Sequence, residues 1–183
     1  MNNVTPLKDL ISDFAKDIRL NISSILAGTV PTELSNNQIL GVTLAVSYAT
    51  GNATLIETVQ TSLCAELTQE EVQAAKSAAA IMAMNNVYYR SINQVSDDGL
   101  KKLPTGLRMQ VIGRPGIDKI TFELYCLAVS ALNGCGHCLD AHSQVLQKAG
   151  ITLQDIQLAI KIASVINAVN ASIAINTKEL SYS

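Results

Sequence analysis

The stretch "LAVSALNGCGHCLDAH" at residues 127–142 combines a helix boundary with both histidines and two of the four cysteines of the chain. Its Asn133-Gly134 pair is typical of a helix end, because glycine adopts the left-handed backbone conformation found there without steric cost. We therefore predict that one helix ends here and that Cys135 lies at the start of the next. Cys138 and His142, four residues apart in that second helix, then share a face with Cys135.

The composition of the chain favours an all-α protein. Hydrophobic residues make up 48% of the 183 residues but aromatic residues only 4%, and Trp is absent. Alanine, leucine, isoleucine, valine and serine dominate, which suits closely packed helices better than sheets. A chain of this length can bury a sizeable core, so we assign residues 1–183 to a single domain, with a pair of small intertwined halves as the alternative.

Apolar residues recur at helical spacing along most of the sequence. Near the N-terminus the spacing from Leu7 to Ile22 predicts one amphipathic first helix, with Phe14 on its apolar face. The stretch 91–112 lacks the pattern and contains several turn-forming residues, so we expect an irregular link there. Further helices are predicted at about 36–49, 53–66, 69–90, 117–132, 136–149 and 153–178.

The sequence contains an internal repeat. "LAVSYATGN" at 44–52 and "LAVSALNGC" at 127–135 share the LAVS tetrapeptide and the glycine. After one inserted residue, "LTQEEVQAAKSAAAIMAMNN" at 67–86 matches "ITLQDIQLAIKIASVINAVN" at 151–170 in its apolar pattern and its final asparagine. A duplicated helical unit explains both matches, and a coincidence between two alanine-rich segments is the alternative.

The two halves, about 36–90 and 117–178, differ at the positions that carry chemistry. Because the first half keeps the scaffold pattern without these side chains, the fold does not require them, and we interpret them as functional. The second half has Cys135, His137, Cys138 and His142 where the first half has Asn52, Thr54, Leu55 and Val59.

The charge and the terminal sequence argue against nucleic-acid binding, secretion and membrane insertion. The net charge is -2 and no run of Lys or Arg is present, so the chain lacks the footprint of a nucleic-acid-binding protein. The N-terminus "MNNVTPLKDLISDF" lacks the features of a secretory signal, and we expect that no apolar stretch approaches the roughly 20 residues of a membrane span. We expect a cytoplasmic protein without a membrane partner, in which a close cysteine pair is typical of catalysis, redox sensing or metal binding.

The cysteine pair needs a partner that makes it reactive. A free thiol has a pKa of ~8.5 and reacts as the thiolate. A helix N-terminus supplies about 0.3–1 kcal/mol, which is less than one pKa unit, so we expect His142 to act on Cys138 as a base or a cationic neighbour. Glu123, in the apolar segment "TFELYCLAVS", is a candidate for orienting an imidazole or passing protons, and a solvated or capping role is the alternative.

Two other interpretations of the cysteine pair are a zinc site and an inert pair. Zinc in a folded domain takes four ligands and normally draws its second pair from a distant segment. His137 is expected to point away from His142 around the helix, which makes a tetrahedral cage awkward. We therefore favour redox chemistry and expect no metal ligands.

Several other residues are expected to serve the fold. Lone cysteines on apolar helix faces usually behave as small hydrophobes, although one of the two lies three residues after Glu123 and is a candidate neighbour of the site. Paired asparagines inside a helix are expected to satisfy buried backbone or subunit contacts, and the methionines beside them to pack. These residues are Cys64, Cys126, Asn85, Asn86, Met82 and Met84.

The spacing Glu123–x11–Cys135–x–His137–Cys138–x3–His142 resembles the active-site pattern of the AhpD alkylhydroperoxidases. These belong to the carboxymuconolactone decarboxylase-like superfamily. The resemblance extends over the whole chain, through "LKDLISDFAKDIRLNISSIL", "AAAIMAMNNVYYR", "GLRMQVIGRPGI" and "FELYCLAVSALNGCGHCLDAH". It implies an all-helical homo-oligomer, commonly a trimer, that acts as a peroxidase.

The resemblance also implies a role for each residue of the pattern. Cys138 is similar to the cysteine that becomes a sulfenic acid, and Cys135 to the one that resolves it to a disulfide. Glu123 and His142 resemble the proton relay, with His137 beside it. No bound cofactor is implied, and the reductant is dihydrolipoamide on a lipoylated acyltransferase, served by dihydrolipoamide dehydrogenase.

Three functions remain open at this point. The first is a lipoyl-dependent peroxidase that reduces alkyl hydroperoxides. The second is an electron carrier that reduces an AhpC-type peroxiredoxin and has little peroxidase activity of its own. The third is a non-redox binding scaffold with an inert disulfide.

Overall fold

The computed structural model describes residues 2–180, with side chains as far as residue 176. Within this range all regular secondary structure is helical, which confirms the prediction of an all-α protein. The helices are α1 (Thr5–Asp9), α2 (Lys16–Leu26), α3 (Asn36–Thr50), α4 (Ala53–Ser62), α5 (Gln69–Gln94), α6 (Asp98–Lys101), α7 (Gln110–Gly113), α8 (Lys119–Leu132), α9 (Gly136–Lys148) and α10 (Leu153–Leu180).

Helices α3 and α8 form the centre of the molecule. Every residue from 39 to 47 and from 122 to 130 is buried, as expected for helices that are apolar on all sides. Helix α5 packs against both of them, and so does α10. Helix α9 packs against α8 and α5, so the second predicted helix of the opening stretch lies over the centre of the core.

The two central helices end in the same way, at positions related by the sequence repeat. Gly51 follows α3 with φ 70° and Gly134 follows α8 with φ 66°, so the backbone adopts the left-handed conformation at both helix ends. The next residue in each case caps the following helix. The Asn52 side chain accepts a hydrogen bond from the Leu55 backbone, and Cys135 Sγ accepts one from the Cys138 backbone.

The N-terminal segment differs from the single amphipathic helix that was predicted. Helix α1 is followed by a 3₁₀ turn at Asp13–Ala15 and then by α2, because the backbone is extended at Ser12. Helix α1 packs against α4 whereas α2 packs against α10, and the break allows the segment to contact both. Leu7 and Ile22 are buried as the pattern indicates, but Phe14 is 56% exposed.

The link between the halves is also more regular than expected. Helix α5 continues to Gln94, and the short helices α6 and α7 form inside the stretch that was predicted to be irregular. The Asp97 side chain caps α6 by accepting hydrogen bonds from two backbone amides. Helix α7 packs against α8, which brings the end of the link to the core.

Helix α10 contains a segment, Leu153–Asn176, that is long and apolar enough to cross a membrane by length and composition. An 18-residue stretch within these 24 residues has a mean hydropathy of 1.7, so the expectation that no apolar stretch approaches this length was wrong. Buried residues such as Ile162 and Ile166 belong to the core, where α10 contacts α8 and α3. Core packing therefore accounts for the apolar face of this helix.

Candidate active site

The two cysteines of the opening stretch are joined by a disulfide between Cys135 and Cys138. Cys135 is the N-cap of α9 and is completely buried, whereas Cys138 lies in the first turn and is 5% exposed. Cys135 follows directly after Gly134, whose left-handed conformation turns the backbone at the end of α8. The pair is thus held between two core helices, with one sulfur closer to the surface.

The predicted partnership between Glu123 and His142 forms across α8 and α9. His142 Nδ1 lies 2.6 Å from Glu123 Oε2, and the two side chains are 11% and 5% exposed. An ionised carboxylate can only accept hydrogen bonds, so with Glu123 ionised the imidazole donates from Nδ1. The other ring nitrogen, Nε2, is then free to exchange a proton with a neighbouring group. The alternative of a solvated or capping glutamate does not apply.

A cavity of about 250 Å³ lies beside the disulfide. It is bounded by α5, α9 and the segment that includes α7, and most of its wall is apolar. Cys138 and His142 face this cavity, whereas Cys135 and Glu123 lie behind them and are not part of its wall. The lining residues are Met82, Asn85, Tyr89, Met109, Ile112, His137, Cys138, Ala141 and His142.

His137 lies at the same cavity as His142, which differs from the expectation that it points away. Its ring stacks on Tyr89, with the ring centroids 5.5 Å apart and an angle of 27° between the planes. Tyr89 Oη in turn donates to the sulfur of Met109 at 3.9 Å. The five predicted site residues therefore come together, three at the cavity and two behind it.

Sequence reasoning missed the contribution of α5 to this site. Met82, Asn85 and Tyr89 lie on one face of α5 and line the cavity, although the first two were assigned to packing and structural contacts. Asn86, the neighbour of Asn85, is structural, but it bonds to side chains and not to the buried backbone or subunit contacts that were expected. Its amide donates to Ser130 and accepts from Asn133, each at 2.9 Å.

The two remaining cysteines are buried in the core, as predicted. Burial raises the pKa of the Cys64 thiol to about 12. Burial also raises the pKa of Cys126 well above its ordinary value, and the nearby Glu123 carboxylate adds to the effect. Both thiols stay protonated at neutral pH, and neither lines the cavity.

The side chains at this site have the chemistry of thiol–disulfide exchange more than that of a metal site. In the part of the chain that the structure describes, no three His, Cys, Asp or Glu residues are arranged to hold a metal ion. The two sulfurs are bonded to each other, so neither is available as a thiolate ligand.

This fold and site define a class of helical proteins that carry a Cys-x-x-Cys pair beside a buried carboxylate–histidine couple. The sequence model of the carboxymuconolactone decarboxylase family matches residues 98–175, which include α8 and α9. The chain is 53% identical over 160 residues to the alkyl hydroperoxide reductase AhpD of Coxiella burnetii strain RSA 493, covering 87% of this chain and 90% of the relative.

Two further relatives with the same name are similar over most of their length. The protein from Hyphomonas neptunium is 50% identical over 162 residues, 88% of each chain. The protein from Streptomyces griseus is 48% identical over 167 residues, 91% of this chain and 93% of the relative. The chain therefore belongs to the carboxymuconolactone decarboxylase family and, within it, to the AhpD proteins.

Proposed function

We propose that this protein is an antioxidant peroxidase that reduces alkyl hydroperoxides through the Cys135–Cys138 pair. The observation that carries the proposal is that Cys138 faces an apolar cavity beside His142, whereas Cys135 is completely buried behind it. Relatives about half identical to this chain carry the name alkyl hydroperoxide reductase, which supports the same reaction here.

Cys138 is the attacking residue of this mechanism. His142 takes the proton of the Cys138 thiol, and the thiolate attacks the terminal oxygen of the hydroperoxide. The O–O bond breaks, and the alkoxide leaves with the proton that His142 returns, so the products are an alcohol and a sulfenic acid. The Glu123 carboxylate holds His142 at Nδ1 and stabilises the imidazolium between the two proton transfers.

Cys135 completes the cycle by resolving the sulfenic acid. Its sulfur attacks Cys138 Sγ, water leaves, and the disulfide forms. In support, the two residues are disulfide-bonded in this structure, and Cys135 Sγ is already directed at the first turn of α9 by its capping bond to the Cys138 amide. His137, stacked on Tyr89 at the cavity, lies beside this relay.

A dithiol then reopens the disulfide by exchange, and we propose dihydrolipoamide on a lipoylated acyltransferase, recycled by dihydrolipoamide dehydrogenase. Cys138 is only 5% exposed, and a recessed disulfide favours a slender arm as the reductant over a flat protein surface. No bound cofactor takes part. The proposal includes a cytoplasmic homotrimer, as the resemblance to the AhpD proteins implies.

The test is turnover of the purified protein with dihydrolipoamide and an alkyl hydroperoxide, together with thiol titration before and after peroxide. The expected result is multiple turnover with the loss of two thiols per chain. Reversible loss of those thiols without turnover would indicate an electron carrier for an AhpC-type peroxiredoxin. Thiols that do not react with peroxide at all would leave a non-redox scaffold and refute the proposal.

A further inference from the structure

Asn85 lines the cavity, and the oxygen of its side-chain amide has no hydrogen-bond partner. Asn85 is 4% exposed, and its Oδ1 is buried without a hydrogen-bond partner. Leaving such an atom unpaired costs about 1–3 kcal/mol, so buried polar groups are paired in the great majority of cases. The wall otherwise consists mainly of apolar side chains and the reactive residues Cys138, His137 and His142.

Comparison with Asn86 indicates that the fold does not need an amide at position 85. Asn86 is also buried, at 1% exposed, but both ends of its amide are hydrogen-bonded within the core. The repeat places Asn170 at the position of Asn86, and Asn170 accepts a hydrogen bond from Asn52. The structural asparagine is therefore present in both halves of the chain.

The two halves of the repeat have different residues at position 85 and its counterpart. Its counterpart in the second half is Val169, which is fully buried in the core of α10. An apolar β-branched residue is therefore compatible with this position of the fold in the second half, where the helix does not line the cavity. The amide appears only in the half of the repeat whose helix faces Cys138.

We infer that Asn85 binds the peroxide group of the substrate and orients it for attack by Cys138. This inference rests on the proposed function and adds a substrate-binding residue to it. A hydroperoxide has one O–H donor and two acceptor oxygens, and a primary amide can accept the first and donate to one of the second. Rotation of the amide about its terminal torsion presents either end to the cavity.

The amide also acts on the charge that develops in the reaction. As the O–O bond breaks, negative charge accumulates on the departing oxygen, and an amide N–H donor in a mainly apolar cavity stabilises it. The apolar side chains of Met82, Met109 and Ile112 then remain for the organic group of the substrate. The cavity is divided accordingly into a polar end at Asn85, Cys138 and His142 and an apolar remainder.

The test is Asn85→Val, which introduces the residue of the other half, with the near-isosteric Asn85→Leu as a second variant. The probe is cumene hydroperoxide, mixed with fully reduced protein in a stopped-flow instrument. We expect the second-order rate of Cys138 oxidation to fall about tenfold or more, by analogy with loss of one donor to a developing oxyanion. The thermal midpoint should stay unchanged or rise, because an unpaired buried group is removed.

Two controls separate substrate binding from a structural effect. Alkylation of reduced Cys138 by iodoacetamide and reduction of the disulfide by dithiothreitol should both proceed within about twofold of wild type, because neither reaction involves a peroxide. Equal slowing of all three reactions, or unchanged oxidation by cumene hydroperoxide, would overturn the role of Asn85. If the wild-type protein itself does not react with peroxide, the proposed function is overturned as well. This outcome is distinguishable from a failure of the Asn85 role alone, because it is seen without any variant.

Discussion

Glu123 Oε2 and His142 Nδ1 lie 2.6 Å apart although the residues are 19 positions apart in the chain and belong to different helices. The contact depends on the Gly134 turn, which sends α9 back against α8. Both groups are almost fully withdrawn from water, so the carboxylate and the imidazole interact strongly with each other and weakly with solvent. This contact engages Nδ1 and leaves Nε2 as the nitrogen of His142 that can act on another group.

Glu123→Gln is expected to slow oxidation of Cys138 by cumene hydroperoxide about 10²-fold. The amide keeps the shape of the side chain but not the charge that stabilises the imidazolium, and general acid–base catalysis by a positioned group contributes roughly 10²–10⁴. The rate is measured by stopped flow on reduced protein. Glu57→Gln, which changes an exposed acid on α4, is the matched control and should react like wild type. A variant at position 123 with wild-type rates would contradict the relay.

Cys138→Ser is expected to abolish peroxide turnover, because a serine hydroxyl is not ionised at neutral pH and cannot replace the thiolate. Turnover is followed with dihydrolipoamide as reductant. Retention of full activity by this variant would show that Cys138 is not the attacking residue.

Cys135→Ser is expected to stop the reaction after its first step. Serine is a good N-cap, so α9 keeps its capped first turn, but the sulfur that resolves the sulfenic acid is lost. One equivalent of peroxide should leave Cys138 as a sulfenic acid, detected by dimedone labelling and mass spectrometry. Finding only free thiol after peroxide would count against the resolving role.

The helix boundaries at the site could be predicted because local signals encode them. Asn133-Gly134 predicts the end of a helix, and the helices expected at about 117–132 and 136–149 are Lys119–Leu132 and Gly136–Lys148 in the structure. The sequence made Glu123 a candidate partner for an imidazole. The contact itself could not be predicted, because it requires α8 and α9 to pack against each other. The five-residue spacing identified its members before their geometry was known.

The α5 wall of the cavity could not be predicted from local pattern. Asn85 and Tyr89 face Cys138 because α5 packs against α9, and that contact depends on the tertiary arrangement of the core. The mismatch between Asn85 and Val169 in the repeat was a signal in the sequence that pointed to it. The break at Ser12 has a similar origin, since α1 and α2 pack on different helices.

Gly41→Ala is expected to destabilise the protein by about 1–3 kcal/mol, the usual cost of overpacking a core. Gly41 of α3 lies directly against the Tyr125 ring of α8, and an added Cβ would overlap the Tyr125 hydroxyl. Urea unfolding measures the free energy change. Gly113→Ala is the control, because a Cβ there meets no atom within 4 Å, and it should unfold like wild type. Equal midpoints for the two variants would refute this close α3–α8 contact.

The stability of the fold is expected to decline as the pH rises above about 9. Burial raises the pKa of Cys64 from 9.0 to about 12, so below pH 9 the thiol is protonated in both states and its contribution is complete. Between these values the unfolded chain loses the proton while the folded chain keeps it, which favours unfolding. Each such group costs up to about 1.4 kcal/mol per pH unit.

Cys64→Ala should therefore flatten this decline without removing it, because burial also raises the pKa values of Cys126 and Tyr125. The measurement is urea unfolding of the disulfide-bonded protein at several pH values from 8 to 11, in wild type and variant. The variant is less stable at pH 8 because packing atoms are lost from the core, but its free energy of unfolding should depend less steeply on pH. Parallel curves for the two proteins would mean that Cys64 ionises as readily in the folded chain as in the unfolded one.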